Sequence, residues 1–106
     1  MDISDWRKKI DDVDRKLAAL LNERANAVIE IGRLKKQMQM PIYEPAREND
    51  VIANVQRSST GPLRERDLAK IYERLLDVMR SIQGHEISPE PGPSGRDTEF
   101  DSRIED

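Results

Sequence analysis

Between Asp5 and Met40, apolar residues return at alternating steps of three and four for about ten turns, which commits this stretch to one long helix. In order, the seam reads Ile3, Trp6, Ile10, Val13, Leu17, Leu20, Arg24, Ala27, Ile31, Leu34 and Met38, a heptad-like stripe with a cation inside it. Such a helix spans roughly 50 Å. The rest of a 106-residue chain is too short to cover that face, so the spacing predicts a helical homodimer in which a second copy shares it.

Arg24 is the informative break. It takes a core position between Leu20, Leu21 and Val28, where a guanidinium is costly unless an anion of matching geometry meets it. Lys35 lies eleven residues on, nearly a whole number of turns, so the two cations share a face about 16 Å apart along the axis. Their long side chains can close on a small dicarboxylate between them. Arg7 lies about 25 Å from Arg24 in the other direction and cannot serve the same small ligand within one helix; in an antiparallel dimer it can reach the partner's site. The plainer alternative is that these side chains are solvated or run past apolar neighbours to water, and taken alone Arg7 reads as a surface residue.

Charged residues make up 37% of the chain and apolar ones 36%, only four residues are aromatic, and β-branched runs are absent, so the fold class is all-α. The net charge of −3 argues against nucleic acid as the main partner. That total conceals an asymmetry: residues 85–106 hold seven acidic and two basic residues, which leaves 1–84 mildly cationic. The absence of cysteine excludes disulfides and thiol chemistry. With no basic and apolar leader and no run of membrane-spanning length, the expectation is a cytoplasmic protein that does not engage a membrane.

Along the chain, Ser4 is the expected N-cap of the first helix, which should fail before Pro41. Gly32, inside the helix, implies that a neighbour or a ligand needs room there. After the connector Met40–Glu44, Pro45 suits the first turn of a second helix reaching about Arg57, and Ser58–Pro62 is a turn. A third helix carries Leu68, Ile71, Tyr72, Leu75, Leu76, Met79 and Ile82, with Gln83 one turn after Met79 and Gly84 as the expected C′ residue. Residues 1–84 form one helical domain in this reading. Residues 85–106, acidic and proline-rich, are expected to be disordered, with the single histidine, His85, solvated.

No phosphate loop, nucleophile elbow, catalytic triad or metal cluster is present in the sequence. Glu44 and Glu48 sit one turn apart, and ion pairs with Lys35, Lys36 or Arg47 account for them more simply than acid–base catalysis does. What remains is a set of cations, one or two carboxylates and an amide arriving from three helices at apolar faces. Such a pocket can orient an anion and stabilise developing charge without forming a covalent bond or moving a proton, which suits a rearrangement.

The run Arg7-x-x-Ile10-Asp11-x-x-Asp14-x-x-Leu17-x-x-Leu20-Leu21-x-x-Arg24, then Ile31-Gly32-x-x-Lys35, then Pro41-Ile42-Tyr43-Glu44-Pro45-x-Arg47-Glu48, and Gln83 closing the last helix, resembles the all-helical (AroQ-type) chorismate mutases over residues 3–84. The resemblance implies a three-helix chain in an intertwined homodimer that converts chorismate to prephenate, in phenylalanine and tyrosine biosynthesis, without cofactor or metal. It implies that Arg24 and the partner subunit's Arg7 hold the two substrate carboxylates. Lys35 and Gln83 would face the ether oxygen whose bond breaks. Glu48 would accept the ring hydroxyl, with the backbone near Glu44 assisting and Arg47 in support. Met79 departs from the pattern: many members place a serine there, and a thioether cannot donate to a carboxylate. Two rival functions stay open, an isochorismate-pyruvate lyase and a non-catalytic helical docking module. The segment after residue 84 is either a docking element for another enzyme or a passive extension.

Because an amide donates at any pH, assigning Gln83 to the ether oxygen predicts a rate nearly constant between about pH 6 and 8, below the lysine titration range. Initial rates across that interval check it, and a steep acid-side optimum would contradict it.

Overall fold

The computed structural model describes residues 1–87, which form three α-helices and, among the described residues, no strand. They are α1 (Ile3–Met38), α2 (Pro45–Ser58) and α3 (Glu65–Ile87). The expectation of disorder concerns residues 85–106, of which 88–106 lie outside the described residues. Two compact units divide the chain, residues 1–26 and, as far as described, 27–87, so α1 contributes to both.

The described part of the first unit, residues 1–26, is helix from Ile3 onward. α1 begins two residues earlier than expected because Asp2, not Ser4, caps it. The Asp5 N–H donates to Asp2 Oδ1 at 3.0 Å and the Asp2 N–H donates to Asp5 Oδ2 at 3.2 Å, a reciprocal arrangement that satisfies two end donors where Ser4 would satisfy one. Along this unit the apolar stripe stands in solvent: Trp6 is 55% exposed and Leu20 60%. A row of large apolar side chains left open at helical spacing is an unpartnered face.

The second unit begins where α1 continues through Gly32 and Lys35, both buried. The helix ends at Met38, two residues short of expectation, because Gln39 turns into the left-handed region at φ 58°. Its N–H donates to the Lys36 carbonyl and the Met40 N–H to the Lys35 carbonyl at 2.9 Å, the double closure of a Schellman end. Pro41 therefore follows a stop already made.

Pro45 opens α2, and Glu44 precedes it at the N-cap without using its side chain as a cap. α2 packs against α3. The Gln56 amide donates to the Glu65 carbonyl at 2.9 Å, fastening the end of one helix to the start of the next. At the head of α3, Asp67 Oδ2 accepts the Arg64 N–H at 3.1 Å, while the Asp67 and Leu68 N–H groups return to the Arg64 carbonyl.

α3 does not stop at Gly84 but runs to Ile87. Gly84 thus sits inside a helix. A Cβ there would meet Ile42 Cδ1 at 3.7 Å, an ordinary contact, so nothing in the packing demands glycine. Among the described residues, the apolar stripe of α3 supplies the two buried apolar side chains, Leu76 and Met79. Beside them lie two buried polar groups, Lys35 and Gln83. His85 is exposed in the last turn.

Two substitutions should stabilise the fold by about 0.5–1 kcal/mol each: Gln39→Gly, which relieves a left-handed non-glycine residue, and Gly84→Ala, which restores helix propensity. Urea denaturation at fixed chain concentration checks both. A loss of stability for either would mean that the end of α1 or the path of α3 differs from that described.

Candidate active site

Lys35 organises the second unit. It lies in the last turn of α1, where the helix dipole favours a cation, and it is only 7% exposed. Its Nζ donates to the Ile42 carbonyl at 3.1 Å and to Gln83 Oε1 at 3.0 Å, and pairs with Glu44 Oε1 at 2.9 Å. An ammonium has three N–H bonds, and here each has one acceptor. The charge is tolerated in this position because it is fully matched.

Gln83 is held from both ends. Its Oε1 accepts from Lys35, and its Nε2 donates to the Val28 carbonyl at 3.2 Å. The reverse orientation would set an NH₂ against the ammonium, so Lys35 determines which way the amide points. Gly32 lies one turn beyond Val28 in α1. It is buried in the same stretch of α1.

The pairing expected for Glu44 is found, with Lys35 as partner, and it explains why Glu44 does not cap α2. For Glu48 the expectation fails. Neither Lys36 nor Arg47 meets it; Arg80 of α3 does, with Nε donating to Glu48 Oε2 and Nη2 to Glu48 Oε1, both at 3.0 Å. Arg47 is the next residue on α2, and adjacent helical residues do not face each other; it is exposed and makes no ion pair among the described residues. Arg80 also donates to Asp77 Oδ1 at 3.1 Å, and its guanidinium carbon lies 4.7 Å from the centre of the Tyr43 ring. The hydrogen bonds to Glu48 raise the guanidinium further above its already high range, so it is charged at any working pH.

Met79 is buried, one turn before Gln83 on α3. Arg7 and Arg24 belong to the first unit: Arg7 is exposed, while Arg24 is half-buried and has no hydrogen bond or ion pair among the described residues. The second unit alone brings together Lys35, Glu44 and Gln83, and holds Glu48 on Arg80.

Arg80 was invisible to local patterning. Its partner is 32 residues away on another helix, and nothing marks it except a place beside the apolar stripe, three residues after Asp77. Among the described residues no group of acidic, histidine or cysteine side chains is placed to hold a metal ion, and no helix is long and apolar enough to cross a membrane.

Chemically, the cluster offers a buried ammonium and amide to an electronegative atom, and a carboxylate to a donor. Its two cations face three carboxylates, Glu44, Glu48 and Asp77, so on its own it has no surplus positive charge for a dianion. A ligand acceptor that reaches Lys35 must replace one of three existing partners. Glu44 is the one open to water, its side chain 37% exposed.

An all-α chain with a buried ammonium–amide pair between its first and third helices is the class that these features define. Residues 6–84 match the family "Chorismate mutase type II", and the chain belongs to that family. It is 29% identical over 86 residues to a bifunctional chorismate mutase/prephenate dehydratase of Aquifex aeolicus, covering 77% of this chain and 24% of that protein. It is 26% identical over 82 residues to a chorismate mutase of Methanocaldococcus jannaschii, covering 76% of this chain and 83% of that one. With the T-protein of Enterobacter agglomerans it shares 34% identity over 84 residues, 79% of this chain and 21% of the relative. The chain thus spans about a quarter of the length of the bifunctional relatives and most of the archaeal one.

Gln83→Leu would leave Lys35 short of an acceptor and the Val28 carbonyl without its side-chain donor, a loss of about 1–3 kcal/mol for buried polar groups left unmatched. Chemical denaturation should show that decrease. An unchanged midpoint would mean that the amide is not held at both ends.

Proposed function

We propose that this chain is a chorismate mutase, forming prephenate by an intramolecular rearrangement. The observation that carries this reading is the buried Lys35–Gln83 pair: an ammonium that donates to the amide oxygen, and an amide that gives one N–H to the Val28 carbonyl and keeps the other for a ligand atom. In the reaction the C–O bond of the enolpyruvyl ether breaks as a C–C bond forms. Atoms balance within one molecule, and no proton, electron or second reactant is required.

Binding must hold a flexible ether in a compact conformer with the reacting carbons close, which removes entropy before the barrier is climbed. Arg24 and the partner subunit's Arg7 supply this by taking the two substrate carboxylates in forked contacts. This assignment also answers the charge balance of the Lys35–Arg80 cluster, whose two cations are already matched by carboxylates. As the C–O bond lengthens, charge grows on the ether oxygen, and Lys35 and Gln83 bind that state more strongly than the ground state. The oxygen enters the Lys35 shell in place of Glu44, the acceptor nearest water. Glu48 accepts the ring hydroxyl. Arg47, exposed on α2, supports the site from its rim, and Met79 lines it without a polar contact.

The partner is a second copy, in an intertwined homodimer. Support comes from the open stripe of α1, on which Trp6, Leu17, Leu20, Ile31, Leu34 and Met38 are exposed. For residues 85–106 the reading keeps two alternatives, a passive extension or a docking element for a further enzyme; a relative named chorismate mutase/prephenate dehydratase gives the second its motive.

The purified chain should convert chorismate to prephenate, and Arg24→Ala should lower kcat/KM by at least about a hundredfold through loss of a charged anchor. Pyruvate released from isochorismate, with no prephenate from chorismate, would favour the lyase instead. A folded dimer inactive on both would point to a docking module. Sedimentation should give a dimer for the parent and a monomer for Leu17→Glu, and a monomeric parent would contradict the shared site.

A further inference from the structure

We infer that Arg80 is a positioning residue: its guanidinium fork sets the Glu48 carboxylate for the hydroxyl of the substrate ring. This rests on the mutase reading and adds to it a residue that the sequence motifs do not contain.

Glu48 stands in the first turn of α2 on a side chain with three rotatable bonds, which by itself would leave its carboxylate mobile. Arg80 removes that freedom. The fork takes both oxygens at 3.0 Å in parallel, the geometry in which a guanidinium fixes the plane of a carboxylate as well as its place. Each oxygen spends one lone pair on the fork and keeps another for an incoming donor. The Glu48 side chain is 23% exposed, so a ligand can reach it.

Arg80 is itself fixed from three directions: by Glu48, by Asp77 one turn earlier on its own helix, and by the Tyr43 ring. That distinguishes it from an ordinary surface pair, which both side chains can leave. It is also three residues from Gln83 on α3, about 4.5 Å along the axis. One helix therefore carries both the amide that meets the ether oxygen and the fork that holds the acceptor for the hydroxyl. The separation between these two contacts is set by the rise of α3 rather than by loop geometry. A lysine at position 80 would keep the charge but offer a single point contact, leaving the plane of the carboxylate free.

The competing role is a plain tether between α2 and α3. It predicts that losing Arg80 affects stability and all substrates alike. The test uses the full chain as Arg80→Met, which keeps an apolar stem near Tyr43, and as Arg80→Lys, assayed with chorismate and with the methyl ether of its ring hydroxyl, which cannot donate. For Arg80→Met, kcat/KM on chorismate should fall about ten- to a hundredfold, and on the ether by less than about threefold, so that discrimination collapses. In a Glu48→Ala background the same substitution should cost less than about threefold, because the two residues act as one. Arg80→Lys should recover the parent's melting midpoint but not its discrimination. Equal losses on both substrates, or full discrimination in either folded variant, would overturn the role. A parent that forms no prephenate would overturn the mutase reading itself, and is told apart because the failure then precedes any substitution.

Discussion

A primary ammonium buried to 7% exposure requires an acceptor for each N–H bond, and those acceptors must come from somewhere fixed. For Lys35 they come from three places: the connector carbonyl of Ile42, the Glu44 carboxylate ahead of α2, and the Gln83 amide of α3. Much of the second unit follows from this. The connector must fold back towards the end of α1, and the left-handed Gln39 is what turns it. Glu44 is diverted from capping α2, whose Pro45 start gives up nothing by opening without a donor. Gln83 is fixed in one orientation and donates to the Val28 carbonyl. An apolar residue at position 35 would leave three polar groups unmatched at once.

The same matching limits what the second unit can do unaided. Lys35 and Arg80 are balanced by carboxylates, so in the proposed mechanism attraction for a dianion falls to the arginines of α1, of which Arg24 is half-buried and unpaired among the described residues. Such a division of labour gives the open apolar stripe of α1 a functional sense. In the proposed dimer the exposed face of α1 would both join the two copies and bring Arg7 to the neighbouring site, so assembly and substrate binding would depend on one helix.

Legibility in the sequence followed the range of the interactions. The three helices, the all-α class and the place of Gln83 on the apolar face of α3 were readable because periodicity is a local signal, whereas the burial of Lys35 was not, since it stands outside the seam and its cover comes from the connector and α3. Helix ends were less readable. Ser4 and Gly84 are conventional end residues, yet a reciprocal Asp2–Asp5 pair starts α1 earlier, and α3 passes through Gly84 because nothing beside it opposes continuation. Arg80 could not be read at all. Its role depends on α2 lying against α3, a tertiary fact, while the residues nearest Glu48 in sequence suggested Arg47 instead. The roles proposed for Arg7 and Arg24 rest on family resemblance together with helix length, because a contact made across two copies leaves no signal in the periodicity of one.

The most direct measurement compares the pH dependence of chorismate turnover by the parent and by Gln83→Glu. If Lys35 and residue 83 together meet the ether oxygen, a carboxyl at position 83 can donate only when protonated, so the variant should be active on the acid side and lose rate as pH rises through the range where it ionises, while the parent stays level. A variant with the parent's flat profile and rate would contradict the account, because residue 83 would then not donate to the reacting oxygen.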